Sequence, residues 1–383
     1  MTQRAIRFGV IGAGMMGREF ASAVLRWAHL LDVDFRPRIV AVASASERSL
    51  AWFRENLPDL RIASTHYQDV LGSGEVEAVY AAVPHHLHAS IYADAIRAGK
   101  HLLGEKPFGI DLPAFEEIAG AASARPDLLV RCASQWPFFP GALQIVKFAR
   151  EGRFGKIIDV EAGMLHGSDL NPNKPINWKR RVATNGEYGC MGDLAMHVFY
   201  MPLRFGWMPN HLYARLSKLV DQRPDGLGGM AVCDTWDNAI LTMDVDAAGQ
   251  HFPMVASAKR ISPGQANTWY TRIQGMALSA EYSTKFPKTL RILAYEPGGT
   301  QGWEERDMGG ASAYRTISGG NFEFGFSDAI MQMHAAFCDE LMHGPDGMLQ
   351  PFRCVTLEET SLQHRVLTAA LESQRTGQAV TLS

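Results

Sequence analysis

The apolar run that begins at Ile6 stops abruptly in glycines, and the stretch Gly9-Val10-Ile11-Gly12-Ala13-Gly14-Met15-Met16-Gly17 constrains this chain more than any other. Its order is strand, tight turn, helix. Gly12, Gly14 and Gly17 keep the G-x-G-x-x-G spacing: Gly12 permits the turn, Gly14 lets the backbone approach a pyrophosphate, and Gly17 lets the helix pack against the strand. The unpaired N–H groups and positive dipole end of a helix opening at Met15 and Met16 then face the phosphates. Dinucleotide binding is what this arrangement predicts, against the plainer reading of a glycine turn that serves packing alone.

The pattern after the turn supports that reading. Helical spacing from Met16 to Leu30 leads through a loop to Ile39-Val40-Ala41-Val42-Ala43, a buried strand; helical spacing returns from Glu47 to Asn56. A short strand at Arg61–Ala63 follows, then an apolar run from Val76 to Val83, a helix from Leu87 to Ala98 closed by Gly99, and a strand at His101-Leu102-Leu103. Repeated β-α-β units with short loops predict a doubly wound parallel sheet, with ligand at the carboxyl ends of the strands where their order reverses. An Asp or Glu at the end of the second strand would bind the ribose 2′-hydroxyl and repel a 2′-phosphate. That place holds Ser44, followed by Ser46 and Arg48, which favours NADP over NAD. The plainer alternative is that Ser46 caps the next helix and Arg48 faces solvent.

A chain of 383 residues predicts two domains. We place them at 1–133, dinucleotide-binding, and 134–383, substrate-binding, with a final helix and strand at 356–383 packing back. From Gly155 onward long alternating runs (Lys156–Leu165, Leu212–Val220, Ala231–Val245, His251–Lys259, Trp269–Gly275) predict an α+β domain with a large, mostly antiparallel open sheet. The net charge of −3, from 37 basic and 40 acidic side chains, provides no basic footprint for nucleic acid or a membrane surface. Five scattered cysteines without C-x-x-C spacing fit a reduced compartment, and no long apolar run calls for a membrane span, so the cytoplasm is the expected location. No metal is expected, because His85, His86 and His88 lack a companion carboxylate or thiolate at ligand spacing.

Several motifs occur in a fixed order: the glycine turn, Pro84 with His88 in a P-x-x-x-H loop, Ala98-Gly99-Lys100-His101, Glu105-Lys106-Pro107, and Gly189-Cys190-Met191-Gly192-Asp193-Leu194-Ala195-Met196-His197. With the closing stretch Ser373–Val380, this set resembles the Gfo/Idh/MocA family of NAD(P)-dependent oxidoreductases from end to end. The resemblance implies a dehydrogenase or reductase acting on a secondary alcohol or ketone of a sugar, inositol or related polyol, assembled as a homodimer or homotetramer through the C-terminal sheet. It also implies a catalytic set of Lys106, Asp193 and His197, and cofactor contacts from Pro84, His88 and Glu105 in addition to the glycine turn. Physical chemistry agrees: an ammonium at Lys106 can stabilise a hydroxyl oxygen as it becomes a carbonyl, and an imidazole at His197 titrates near neutrality and can take its proton. Asp193 and His197, four apart at helical spacing, project from one face. Gln135, Trp136, Trp178, Lys179 and Arg180 are candidate substrate contacts, the last three as a grip on a sugar face or anion or else as a solvated hairpin tip. Departures from the family pattern at Gly192, Met196 and Val198-Phe199-Tyr200 bear on the substrate pocket, and His85, in place of the usual Asn, bears on the contact made by the Pro84 loop. Two rivals stay open: an NAD-dependent glycosidase of the same family, and a non-catalytic cofactor sensor.

Overall fold

Six short apolar runs from the first third of the chain pair as one parallel sheet. Their residues are β1 Arg4–Ile11, β2 Phe35–Ala43, β3 Ile62–Ser64, β4 Ala78–Ala81, β5 His101–Glu105 and β6 Val130–Ala133, and they lie in the order β3-β2-β1-β4-β5-β6. Every pairing is parallel; β4 and the carboxyl halves of β1 and β2 are buried on both faces and read as continuous hydrophobics, while the edge strand β3 is half-buried. The crossovers are helical: α1 Met15–Leu25, α2 Glu47–Asn56, α3 Tyr67–Leu71, α4 His88–Arg97 and α5 Leu112–Ser123. This is the doubly wound α/β fold expected from the alternation, with the order reversing between β1 and β4.

The computed structural model describes residues 3–309 and 311–382. It divides into two compact units, the first of Met1–Gly109, Pro113–Phe138 and Ser312–Leu357, the second of Ile110–Leu112, Phe139–Ala311 and Glu358–Ser383. The segment Ser312–Leu357, which the sequence reading placed within 134–383, thus belongs to the first unit. Aromatic packing explains why: the helix Phe326–His343 sets His334 against Phe20, with ring centroids 4.3 Å apart, and Phe337 against Phe8 at 6.0 Å. Arg131 on β6 adds a two-pronged ion pair to the buried Glu340, at 2.9 and 2.5 Å. Of the expected closing segment 356–383, Ser383 lies outside the described residues.

The second unit is built on a nine-stranded sheet. In chain order its strands are β7 Ile157–His166, β8 Pro209–Ser217, then (after the separate hairpin β9 Gln222–Pro224 and β10 Met230–Val232) β11 Asn238–Ala247, β12 Gln250–Lys259, β13 Ala266–Gly275, β14 Leu278–Ser283, β15 Thr289–Ala294, β16 Glu304–Asp307 and β17 Val380–Thr381. Only β7 and β12 pair in parallel; the other neighbours are antiparallel. Strict alternation makes one face apolar: Leu212, Ala214 and Leu216 on β8 pair with Met243, Leu241 and Ala239 on β11, all buried, while Tyr213, Arg215 and Ile240 face outward. The helices of this unit are α6 Pro140–Arg150, α7 Val182–Asn185, α8 Met196–Arg204 and the long helix Leu357–Thr376.

Several element boundaries differ from the spacing. The expected run Ala231–Val245 is two strands, because Asp237 Oδ2 accepts from the N–H groups of Leu219 and Val220 and Asp234 Oδ1 accepts from Val182 N, which pulls the intervening backbone out of the ladder. The sixth strand stops at Ala133, and a 3-10 turn Trp136–Phe138 precedes α6, whose first residue is Pro140. Helix α1 ends at Leu25, and Trp27–His29 form a separate 3-10 turn.

Candidate active site

The parallel register brings four sequence motifs of the first unit to one edge. Ala43 pairs with Ile11, Ile11 with Ala81, and Ala81 with Gly104, so Ser44, Gly12 and Ala82 leave the sheet at its carboxyl ends in one row beside Glu105, the last residue of β5. Backbone hydrogen bonds hold the row: Gly12 N donates to Ala43 O and Ala82 N to Ile11 O, each at 2.8 Å.

Each fingerprint glycine meets a different constraint. Gly12 has φ +107°, and a Cβ there would lie 2.2 Å from Ala82 O. A Cβ on Gly17 would lie 2.2 Å from Gly12 O, so this glycine lets α1 pass close over the turn. Around Gly14 a Cβ would meet no protein atom within 4 Å. Packing therefore demands Gly12 and Gly17, whereas the bare backbone at Gly14 opens onto free space beside the α1 N-terminus. No acidic side chain sits in the first turn of α1, Met15 is exposed, and Met16 is half-buried. Ser44 is half-buried and its Oγ accepts from Ser46 N at 3.4 Å; Ser46 and Arg48 are exposed. Ser46 is the N-cap residue of α2, yet its hydroxyl makes no cap bond.

Pro84 is half-buried and opens the 3-10 turn His85–Leu87. His88 reaches no surface: its ring stacks on Tyr92 with centroids 4.7 Å apart, and Nε2 lies 2.9 Å from Val83 O. Burial pushes its pKa down to about 3, so the imidazole is neutral and donates from Nε2 to the carbonyl. The ring thus braces the loop Val83–Pro84 from within the unit. Glu105 is buried and accepts from Tyr80 Oη at 2.6 Å. Tyr92 Oη donates to the main-chain oxygens of Glu105 and Ala81, at 2.9 and 3.2 Å, fixing the ends of β4 and β5 to each other. Desolvation, together with the Glu105 anion, pushes the Tyr80 phenol well above its ordinary value, which keeps it a donor. Lys106 follows half-buried, joined to Pro107 by a cis peptide bond. Gln135 and Trp136, candidates for substrate contact, are both buried, and the Trp136 ring packs on Phe326 with centroids 5.5 Å apart.

In the second unit Asp193 and His197 are brought together by an irregular helix. Met191–Ala195 form a π-type turn carrying Asp193, and α8 begins at Met196, so a wide turn replaces the regular helix expected across the pair. Both side chains are buried, and Trp269 Nε1 donates to His197 O at 3.1 Å. Lys179 Nζ spans the two Asp193 oxygens at 2.9 and 3.1 Å, and Arg260 reaches Oδ2 at 3.3 Å. Trp178–Arg180 form a 3-10 turn capped by Asn177, whose Oδ1 accepts from Lys179 N. Arg180 is buried in an ion pair with Asp169, so it takes no part in an exposed grip and the hairpin-tip reading does not hold. Within the same motif Cys190 is fully buried, and its thiol is pushed up to about 12, which leaves it inert. Among the described residues no three His, Cys, Asp or Glu side chains converge as metal ligands, and no helix is long and apolar enough to cross a membrane.

Arg260, the Tyr80 and Tyr92 clamps on Glu105, and Asp169 were not found by sequence reasoning; each acts on a residue far away in the chain, and no local spacing marks them.

Residues 6–130 match the family described as GFO_IDH_MocA, an oxidoreductase family with an NAD-binding Rossmann fold. An uncharacterised oxidoreductase of Synechocystis is 30% identical over 221 residues, 56% of either chain. Levoglucosan dehydrogenase of Pseudarthrobacter phenanthrenivorans is 26% identical over 233 residues, 58% of this chain and 57% of its own. These alignments thus span little more than half the length of the relatives. A solved structure of levoglucosan dehydrogenase in complex with NADH and levoglucosan superposes with a TM-score of 0.85 at 21% identity, covering 99% of this chain and all of the other, and so speaks for the fold.

Proposed function

We propose that this chain, whose residues 6–130 match the Gfo/Idh/MocA family of oxidoreductases, moves a hydride between NAD(P) and a secondary alcohol or ketone of a sugar, an inositol or a related polyol. The observation that carries this reading is the row of motifs at the carboxyl ends of β1, β4 and β5: the glycine turn with open space at Gly14, the Pro84 loop, and Glu105-Lys106-Pro107. The name of the Pseudarthrobacter relative, levoglucosan dehydrogenase, supports a carbohydrate-like substrate.

Gly12, Gly14 and Gly17 with the first N–H groups of α1 hold the diphosphate, and Ser44, Ser46 and Arg48 receive the adenosine ribose, preferring a 2′-phosphate because no carboxylate stands there. The bound nicotinamide supplies the hydride acceptor or donor. Lys106 donates to the substrate oxygen and stabilises it as a carbonyl forms; Glu105, held by Tyr80, orients that strand end. His197 takes the hydroxyl proton when the C–H bond releases its hydride, and Asp193 orients the hydroxyl. Trp178 contributes to the sugar pocket, which Lys179 borders through its contact with Asp193. The enzyme works in the cytoplasm as a homodimer or homotetramer joined through the outward face of the nine-stranded sheet.

The test is a panel of sugars, inositols and their acids, each with NAD+ and with NADP+, followed at the absorbance of the reduced nicotinamide. Reduction with at least one polyol is expected. Release of reducing sugar from glycosides without net cofactor reduction would favour the glycosidase; cofactor binding without turnover of any substrate would favour the sensor.

A further inference from the structure

Building on the proposed dehydrogenase, we propose that Lys179 is a positioning residue: with Arg260 it holds the Asp193 carboxylate ionised and in one orientation, so that Asp193 takes no proton during turnover. Two cations face one buried anion. The Lys179 ammonium bridges Oδ1 and Oδ2, which fixes the carboxylate plane, and the Arg260 guanidinium approaches Oδ2. The two cations have different standing. Arg260 is wholly buried and also donates to Lys179 O at 3.0 Å, Gly189 O at 3.3 Å and Asn185 Oδ1 at 3.4 Å, so it ties the stretch 179–193 to the end of β12 and serves the fold. The Lys179 side chain is 37% exposed, against 2% for that of Arg260. It stands on a short turn fixed by the Asn177 cap, with Nζ 5.6 Å from the centre of the Trp178 ring.

Other charged and titratable groups around Asp193 leave the conclusion intact. His166 at the end of β7 couples to both Asp193 and Lys179, but burial lowers its pKa, so it is neutral at pH 7. Arg180 couples to Asp193, Arg260 and Asp237, and its guanidinium is paired with Asp169. His197 follows on α8. A carboxylate between an ammonium and a guanidinium stays charged through the neutral range. The proton released by a substrate hydroxyl then has the imidazole as its acceptor, and Asp193 acts by charge and hydrogen bonding alone.

The experiment compares wild type, Lys179→Met and Lys179→Arg. With aspartate labelled at the carboxyl carbon and the Asp193 signal assigned by its loss in Asp193→Asn, the wild-type signal should titrate below the ordinary carboxylate range, and in K179M its midpoint should rise by about one pH unit with Arg260 still in place. K179R should restore the wild-type midpoint. With the best polyol from the panel, K179M should lose about tenfold or more in kcat with cofactor affinity unchanged, and K179R should keep most of the rate. An unchanged Asp193 titration in K179M, or wild-type kcat in that variant, overturns the proposal. If wild type itself turns over no polyol, the enzyme reading fails, and the carboxyl titration still decides whether Lys179 holds Asp193.

Discussion

The three fingerprint glycines separate fold from function, because the structure assigns them different obstacles. Gly17→Ala would put a Cβ 2.2 Å from the Gly12 carbonyl oxygen, a backbone atom that cannot swing aside, so α1 must shift off the turn. Overpacking of that kind costs about 1–3 kcal/mol. Gly12→Ala meets Ala82 O at the same distance and adds the strain of φ +107°, so it should cost at least as much. Gly14→Ala meets nothing within 4 Å and its φ is −78°, so no clash and no strain oppose it. The small preference for Gly over Ala at an N-cap is offset by the lower entropy of the unfolded chain, and the net effect should fall within about 0.5 kcal/mol of zero. Cofactor binding should respond in a different order. The methyl at Gly14 occupies the face that a diphosphate must approach, and we expect a Kd for reduced cofactor at least about tenfold weaker, roughly 1.4 kcal/mol. Urea unfolding without cofactor and fluorescence titration with NADH and NADPH measure the two effects separately. Two results would refute the reasoning: Gly14→Ala binding both cofactors as wild type does, or Gly14→Ala losing as much stability as Gly17→Ala.

Three further outcomes follow from the geometry. Lys106→Ala should leave cofactor binding nearly intact and lower turnover by about two orders of magnitude, measured as kcat with saturating polyol. Asp169→Ala strips the buried Arg180 of its ion-pair partner and should destabilise the protein by about 3 kcal/mol in urea unfolding, since an uncompensated buried charge is left behind. His334 is wholly buried between Phe20 and Tyr80, and neither of its ring nitrogens has a hydrogen-bond partner among the described residues. Burial lowers its pKa to about 3, so the unfolded chain binds a proton that the folded chain refuses between there and about 6.5, and stability falls as pH falls through that window. His334→Phe should add about 1 kcal/mol at pH 7 and shrink the loss between pH 7 and pH 5; an unchanged difference between unfolding at those two pH values would contradict this account.

Local patterning carried the sheet of the first unit a long way. Helix α2 spans Glu47–Asn56, the bounds that its apolar spacing predicts, because Leu50 and Phe53 alone are buried and the remaining face is polar. The helix Phe326–His343 gave no such signal. Every residue from Ala329 to Glu340 is buried, so the helix has no polar stripe over two-thirds of its length, and its interior holds Gln332, His334, Asp339 and Glu340. A sequence that buries polar groups through specific partners, as Asp339 does with Tyr314 at 2.7 Å, shows no period to read. Strands β14, β15 and β16 were missed for the opposite reason. They are short, and they carry charges such as Glu281, Arg291 and Glu305 that pair across strands on the outward face and interrupt the apolar runs.

The candidate site divides along the same line. Gly12, Gly14, Gly17, Lys106, Asp193 and His197 are legible because their chemistry is local: a turn, a strand end, a helix face. The groups that set the charge and posture of those residues are not, because Arg260 lies 67 positions from Asp193 and Tyr80 lies 25 from Glu105. Spacing finds an acid or a base but cannot say which protonation state it holds, since that depends on desolvation and neighbouring charge delivered by tertiary contact. Asp193 shows the consequence. From sequence it is a carboxylate one turn before an imidazole, equally fit to accept a proton or to orient a hydroxyl. The Lys179 ammonium spanning its two oxygens and Arg260 closing on one of them favour the second role in the proposed dehydrogenase.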